Sequence, residues 1–255
     1  MPSLDALEQP AASGTTDAVM VLMHGVGGAG ERMMGLANAL AKTFPNAHFY
    51  APNGPIPYVA GSDPKNTGAS TEPEPGRYQW YVRTSEQTRQ EGLYAVAEPL
   101  NAFIAESLAV HGLNESRCVV IGFSMGAITA LNVMPRRGAP IGAFVAHSGY
   151  LFSPDSLAIR TRQKERFHAE VVSKTPACLI HGLKDTTLPW QTMHEAALTY
   201  EEAEISTELH LLGGLGHAMD HRSIFIIEAF ITRHLYADPS VDVEKADRLL
   251  PGLRQ

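Results

Sequence analysis

Short apolar runs alternate along the chain with longer stretches in which apolar residues recur every three or four positions. Ala18–Met23, Ala47–Ala51, Cys118–Phe123, Ala143–Ala146, Ala177–Ile180 and Thr207–Leu212 read as strands. Most are continuously apolar rather than alternating, the pattern of strands covered on both faces. Between them, Glu31–Phe44 carries Met33, Met34, Leu36, Ala37 and Leu40 at helical spacing. After Ser85, a candidate N-cap, Leu93, Val96, Leu100, Ile104 and Leu108 mark one face of a helix expected to kink at Pro99. Helices also fit Met125–Met134, Trp190–Glu204 and His221–Tyr236. This alternation predicts an α/β fold with a mostly parallel central sheet and helices on both faces.

Two stretches interrupt the pattern. Pro52–Gly76 holds six of the 17 prolines and four glycines, which predicts a long irregular loop of the kind usually kept for function. Asp155–Lys174 is charged and helix-compatible and sits where a connection between strands is expected; a solvated helix is the first reading, and an excursion over the sheet edge that would partly cover a site is the alternative. A single domain over 18–237 is expected, with an N-terminal extension over 1–17. A polar tail over 238–255 carries Pro239 and Pro251.

Composition narrows the function classes. With 44% hydrophobic and 18% charged residues, the chain has material for a sizeable core and is neither disordered nor fibrous. A net charge of −7 without a basic patch argues against a nucleic-acid partner. No uninterrupted apolar run approaches the ~18 residues of a bilayer span, so no stable membrane insertion is expected. Residues 1–17 contain no Lys or Arg and lack the form of a secretory signal, and a cytoplasmic location is the expectation. Cys118 and Cys178 each lie inside an apolar run and are expected to be reduced and buried.

The strongest chemical signal is Gly122-Phe123-Ser124-Met125-Gly126, set between the strand Cys118–Phe123 and the helix that begins at Met125. A Gly-x-Ser-x-Gly pentapeptide in a strand–turn–helix context is a nucleophile elbow, in which a sharp turn exposes the serine oxygen. A serine needs a base, and the order in this arrangement is Ser, then Asp or Glu, then His, each on a loop after a strand. His217, in Gly213-Gly214-Leu215-Gly216-His217, follows the strand Thr207–Leu212, and Asp185 follows Ala177–Ile180. Asp220 is an alternative acid, but its place before the last helix suits an N-cap better. Among the other ten of the eleven histidines, His24 and His181 fit hydrogen bonds to loop backbone and His147 fits a pocket wall. His217 and His221 are four apart, but no third ligand at metal-binding spacing accompanies them, so no metal is expected.

Acyl transfer also needs donors for a developing oxyanion. One is the backbone N–H of Met125, directly after the serine. The other is expected from the loop His24-Gly25-Val26-Gly27-Gly28-Ala29-Gly30, at Val26. Such a glycine-rich loop also suits phosphate binding, but no Gly-Lys-Ser/Thr follows and the dinucleotide spacing is imperfect. The elbow decides for the oxyanion role.

Leu22-Met23-His24-Gly25-Val26-Gly27, Ala51-Pro52-Asn53-Gly54-Pro55, Gly76-Arg77-Tyr78-Gln79-Trp80-Tyr81, the elbow, His147-Ser148-Gly149-Tyr150, His181-Gly182-Leu183-Lys184-Asp185 and Gly214-Leu215-Gly216-His217 together resemble the phospholipase/carboxylesterase family of α/β-hydrolases, which includes the acyl-protein thioesterases. The resemblance covers roughly Val19 to Leu235. It implies an α/β-hydrolase fold without a large cap domain, and no cofactor and no metal. It implies a serine carboxylesterase with Ser124, Asp185 and His217 as the catalytic set and Val26 and Met125 at the oxyanion hole. A small-molecule ester or thioester of short to medium acyl chain is the expected substrate, and a homodimer is left open. By resemblance the segment ending at Trp80 forms an acyl groove, with Tyr150 and Leu151 also against substrate; a Trp80 that only anchors the loop is the alternative. Lysophospholipase, phospholipase or acyl-protein thioesterase activity remains open within the family. Outside it stands a non-catalytic binding protein of the same fold.

Overall fold

Successive side chains of a strand point to opposite faces of its sheet, so a continuously apolar strand must be covered twice. The computed structural model, which describes residues 4–62, 68–153 and 157–236, does this around seven strands. The elements in chain order are β1 (Ala6–Gln9), β2 (Ala18–Met23), α1 (Met34–Leu40), β3 (Ala47–Pro52), β4 (Ile56–Val59), β5 (Pro73–Gln79), α2 (Glu86–Ala95), α3 (Ala97–Val110), β6 (Cys118–Phe123), α4 (Met125–Val133), β7 (Ala143–His147), α5 (Leu157–Glu170), β8 (Ala177–Gly182), α6 (Gln191–Glu202), β9 (Thr207–Leu212) and α7 (His221–Ile231). The sheet order is β1-β3-β2-β6-β7-β8-β9, parallel throughout except for β1.

Strand β2 shows the double covering residue by residue. Val19, Val21 and Met23 join one apolar cluster with residues of α3, α4, α5 and α6, while Ala18, Met20 and Leu22 join another with α1 and α7. The parallel registers pair Met23 with Gly122, Phe123 with His147, and Gly182 with Leu212. The carboxyl ends of β2, β6, β8 and β9 therefore open on one edge, where ligands bind in open α/β sheets.

Three expectations need correction. The extension over 1–17 is not wholly outside the fold, because Ala6–Gln9 pairs antiparallel with β3 at the sheet edge. The loop over 52–76 contains β4 and, with β5, makes a two-stranded antiparallel hairpin. The expected kink at Pro99 is a break at Val96. Pro99 occupies the first turn of α3, where a missing N–H costs no helical bond. Helix α5 is anchored by fully buried Phe167, which stacks on Tyr200 at 5.5 Å, and none of its residues lines the cleft described below. The expected tail over 238–255 and Asp155 lie outside the described residues.

Candidate active site

Close packing of β6 against α4 forces the geometry at Ser124. A Cβ at Gly122 would lie 2.4 Å from the Gly126 carbonyl oxygen, and one at Gly126 would lie 2.3 Å from that of Met23. Only glycine fits either place. Between them Ser124 adopts φ 53° and ψ −114°, a sparsely populated conformation for a residue with a side chain. Its N–H donates to the His147 carbonyl at 2.9 Å, which ties the turn to the end of β7. His147 itself is fully buried and is no pocket wall. Its Nδ1 and Nε2 meet the hydroxyls of Ser148 and Ser223 at 2.9 and 2.8 Å. Burial pushes this imidazole down to about 3, so it is neutral.

Loops after three strands meet at the serine. His217 Nε2 lies 2.9 Å from Ser124 Oγ, and its Nδ1 lies 2.7 Å from Asp185 Oδ2. The Asp185 side chain is buried, and burial alone would raise its pKa. Hydrogen bonds from Leu188 N–H, His217 and Thr187 N–H outweigh this and hold the carboxyl below its ordinary value. The ionised carboxylate requires a proton on His217 Nδ1, leaving the Nε2 lone pair for the serine hydroxyl. Phe123 flanks the imidazole with ring centroids 5.1 Å apart. Asp220 does not enter this relay. It accepts from Arg222 N–H and Ser223 N–H as the N-cap of α7, as its position in the sequence suggests.

Asp185 has a second imidazole partner that sequence reasoning did not reveal. His181 Nε2 lies 3.1 Å from the Leu188 carbonyl and 3.2 Å from Asp185 Oδ2. Two acceptors at one nitrogen place the proton there, while Nδ1 is buried without a partner among the described residues. Burial lowers the pKa of His181 and keeps it neutral against the pull of the carboxylate. The only sequence signal for this contact is the four-residue spacing between His181 and Asp185.

The glycine-rich loop packs directly on the serine, since a Cβ at Gly25 would sit 3.2 Å from Ser124 Cβ. Met125 opens α4, so its N–H has no acceptor within the helix. Among the described residues the Val26 N–H makes no hydrogen bond within the protein. The loop is held from behind. His24 Nε2 accepts from Gly54 N–H at 2.9 Å, so Nδ1 carries the proton and donates to the Gly25 carbonyl at 2.7 Å. Gly27 N–H donates to the Tyr78 carbonyl, Arg77 Nε donates to the Gly27 carbonyl, and Asn53 Oδ1 accepts from Gly30 N–H.

A cleft of about 610 Å³ opens beside Ser124, a volume typical of small-molecule sites. Its apolar walls are Met33, Leu36, Phe123, Met219 and Ile224, and Arg32 lines it as well. The groove therefore lies toward α1 and the start of α7. Trp80 is not part of it: the side chain is 1% exposed and its Nε1–H donates to the His24 carbonyl at 2.8 Å, anchoring the loop. Tyr150 and Leu151 are also elsewhere. Gly149 turns the chain against α4, with a Cβ position 2.9 Å from Ala127 Cβ, and both residues line a separate recess beside α2 with Arg89 and Asn132.

The family model described as phospholipase/carboxylesterase matches residues 8–235. Acyl-protein thioesterase 1 of Candida albicans is 23% identical over 239 residues, 90% of this chain and 97% of that protein. A probable carboxylesterase of Oryza sativa subsp. japonica is 25% identical over 146 residues, which is 57% of this chain and about half (52%) of that relative's length. The crystal structure of esterase PE8 superposes with a TM-score of 0.76 at 29% identity, covering 91% of this chain and 99% of that one.

Proposed function

This chain belongs to the phospholipase/carboxylesterase family, and on that premise we propose that it hydrolyses short- to medium-chain carboxylic esters or thioesters through an acyl-enzyme on Ser124. The observation that carries the reading is the unbroken path from Ser124 Oγ through His217 to Asp185, at 2.9 and 2.7 Å, beside an apolar cleft. His217 Nε2 takes the hydroxyl proton as Oγ attacks the carbonyl carbon of the substrate. The negative charge that forms on the carbonyl oxygen is received by the N–H groups of Val26 and Met125, where one such donor is worth about 3–4 kcal/mol. As the intermediate collapses, the imidazolium returns the proton to the leaving alcohol or thiol. Water then attacks the acyl-enzyme with His217 again as base, and the acid leaves.

Asp185 stays ionised through this cycle, since four donors converge on its two oxygens, and it stabilises the imidazolium. The volume and apolar lining of the cleft support an acyl chain rather than a polymer as occupant. Similarity to an acyl-protein thioesterase supports including thioesters.

The test is hydrolysis of p-nitrophenyl esters from acetate to dodecanoate by wild type and Ser124→Ala in parallel. Turnover by the wild type that disappears in the variant is expected, with an optimum at an intermediate length. A folded wild type inert toward every ester, or a variant as active as wild type, contradicts the proposal.

A further inference from the structure

Ester hydrolysis as described makes no use of the charge in the cleft. Arg32 lies in the tight turn Gly30–Met33 that follows the oxyanion loop, is exposed, and lines the cleft with Ser124 and His217. Most other described arginines are tied to carboxylates, as Arg77 is to Glu74, Arg137 to Glu115 and Arg233 to Glu208. Among the described residues the Arg32 guanidinium has no hydrogen-bond or ion-pair partner, the residue's backbone N–H being bonded to the Ala29 carbonyl. Among the described residues no Asp or Glu lines the cleft, although the chain carries a net charge of −7. The charge of Arg32 is felt at His24, under the oxyanion loop, where it opposes protonation of the imidazole after burial has already done so.

An unpaired guanidinium at the rim of an apolar cleft is a receptor for an oxyanion, because its planar fork matches a carboxylate in a bidentate way. We propose that Arg32 binds a carboxylate on the portion of the substrate that occupies the cleft, so that the preferred esters are half-esters of dicarboxylic acids. The methylene chain lies against Met33, Leu36, Met219 and Ile224, and the terminal carboxylate meets Arg32. This assignment rests on the esterase reading and adds the substrate class to it. It also accounts for the absence of acidic residues from the cleft, since a carboxylate there would neutralise Arg32 and repel the ligand.

The test compares kcat/KM for mono-p-nitrophenyl adipate and p-nitrophenyl hexanoate, which differ by the terminal carboxylate, in wild type, Arg32→Gln, Arg32→Lys and Ser124→Ala. The adipate-to-hexanoate ratio is expected to fall about five- to tenfold in Arg32→Gln, the scale of one exposed charge-assisted hydrogen bond. Arg32→Lys should lie between the two, and added salt should lower the wild-type ratio. A ratio that does not depend on Arg32, with hexanoate still hydrolysed through Ser124, overturns this proposal and leaves the esterase reading intact. Neither ester being hydrolysed, or hydrolysis that persists in Ser124→Ala, overturns both. Because the readout is a ratio within each variant, partial loss of folded protein does not mimic the expected result.

Discussion

Replacing Asp185 by Asn removes one charge, and the structure fixes which way the amide must turn. Oδ1 accepts from Thr187 N–H at 2.8 Å and from Leu188 N–H at 2.9 Å, so the amide oxygen has to take that side. The amide NH2 then faces His217 Nδ1, which lies 2.7 Å from Oδ2, and His181 Nε2, which lies 3.2 Å from it. Both imidazole nitrogens carry protons in the wild type, so the substitution sets donor against donor twice. His217 relieves this by moving its proton to Nε2, and it then presents a proton rather than a lone pair to Ser124. In serine hydrolases with this relay, the same change lowers kcat about 10⁴-fold, which corresponds to about 5.4 kcal/mol in the barrier. Asp220 cannot stand in, since it is engaged as the cap of α7 and paired with Arg222. The assay is turnover of a p-nitrophenyl ester by Asp185→Asn at pH 7.5, with circular dichroism and Tm confirming the fold. A loss smaller than tenfold in a folded variant refutes the reasoning.

Other consequences can be measured as directly. Gly126→Ala forces a Cβ to within 2.3 Å of the Met23 carbonyl oxygen. The elbow must move by about 1 Å, and kcat should fall about 10²-fold with a lowered Tm; unchanged kinetics would mean the close approach is dispensable. Trp80→Phe should lower stability by about 1 kcal/mol through the lost indole hydrogen bond, measured by urea unfolding, without moving the chain-length optimum. Met219→Trp, which fills the cleft, should shift that optimum to shorter acids; the opposite pattern would return the groove to Trp80. Glu208 is half-buried, which alone would raise its pKa, but His210 and Arg233 hold it at about 2. Because that folded value lies below the unfolded one, its contribution is full above about pH 4.5 and is lost as pH falls toward 2. Glu208→Gln should therefore flatten the decline of the urea midpoint over that window, and an equally steep decline counts against the ion pair.

The parts of the fold legible in the sequence are those where burial writes a pattern. The core strands β2, β6, β7 and β8 are buried throughout except for Phe123 at the end of β6, and their apolar runs announce a doubly covered sheet. Ser124 and Asp185 could be placed because each follows such a strand, and His217 because its glycine-rich loop follows β9, although β9 is mostly half-buried. Strands β1, β4 and β5 are largely exposed or rich in Pro and Gly, so neither alternation nor an apolar run marks them. The cleft was misplaced for a related reason. Met33 and Leu36 share the helical spacing of ordinary core residues, and nothing in that spacing says that part of α1 faces a cavity. Trp80 illustrates the reverse error, since a large aromatic beside a glycine-rich loop serves equally as an anchor or as a groove wall. His181 shows a further limit, because its contact with Asp185, from the end of β8 to the loop beyond, depends on how that loop turns.

The central claim is that Ser124 Oγ is the nucleophile, and covalent capture tests it most directly. Wild type and Ser124→Ala would be treated with a fluorophosphonate and examined by intact mass, peptide mapping and residual esterase activity. The account predicts one adduct per chain, mapped to Ser124, forming in step with loss of activity and absent from the variant. Esterase activity that survives without an adduct at Ser124, or an adduct on another residue that abolishes it, would contradict the account.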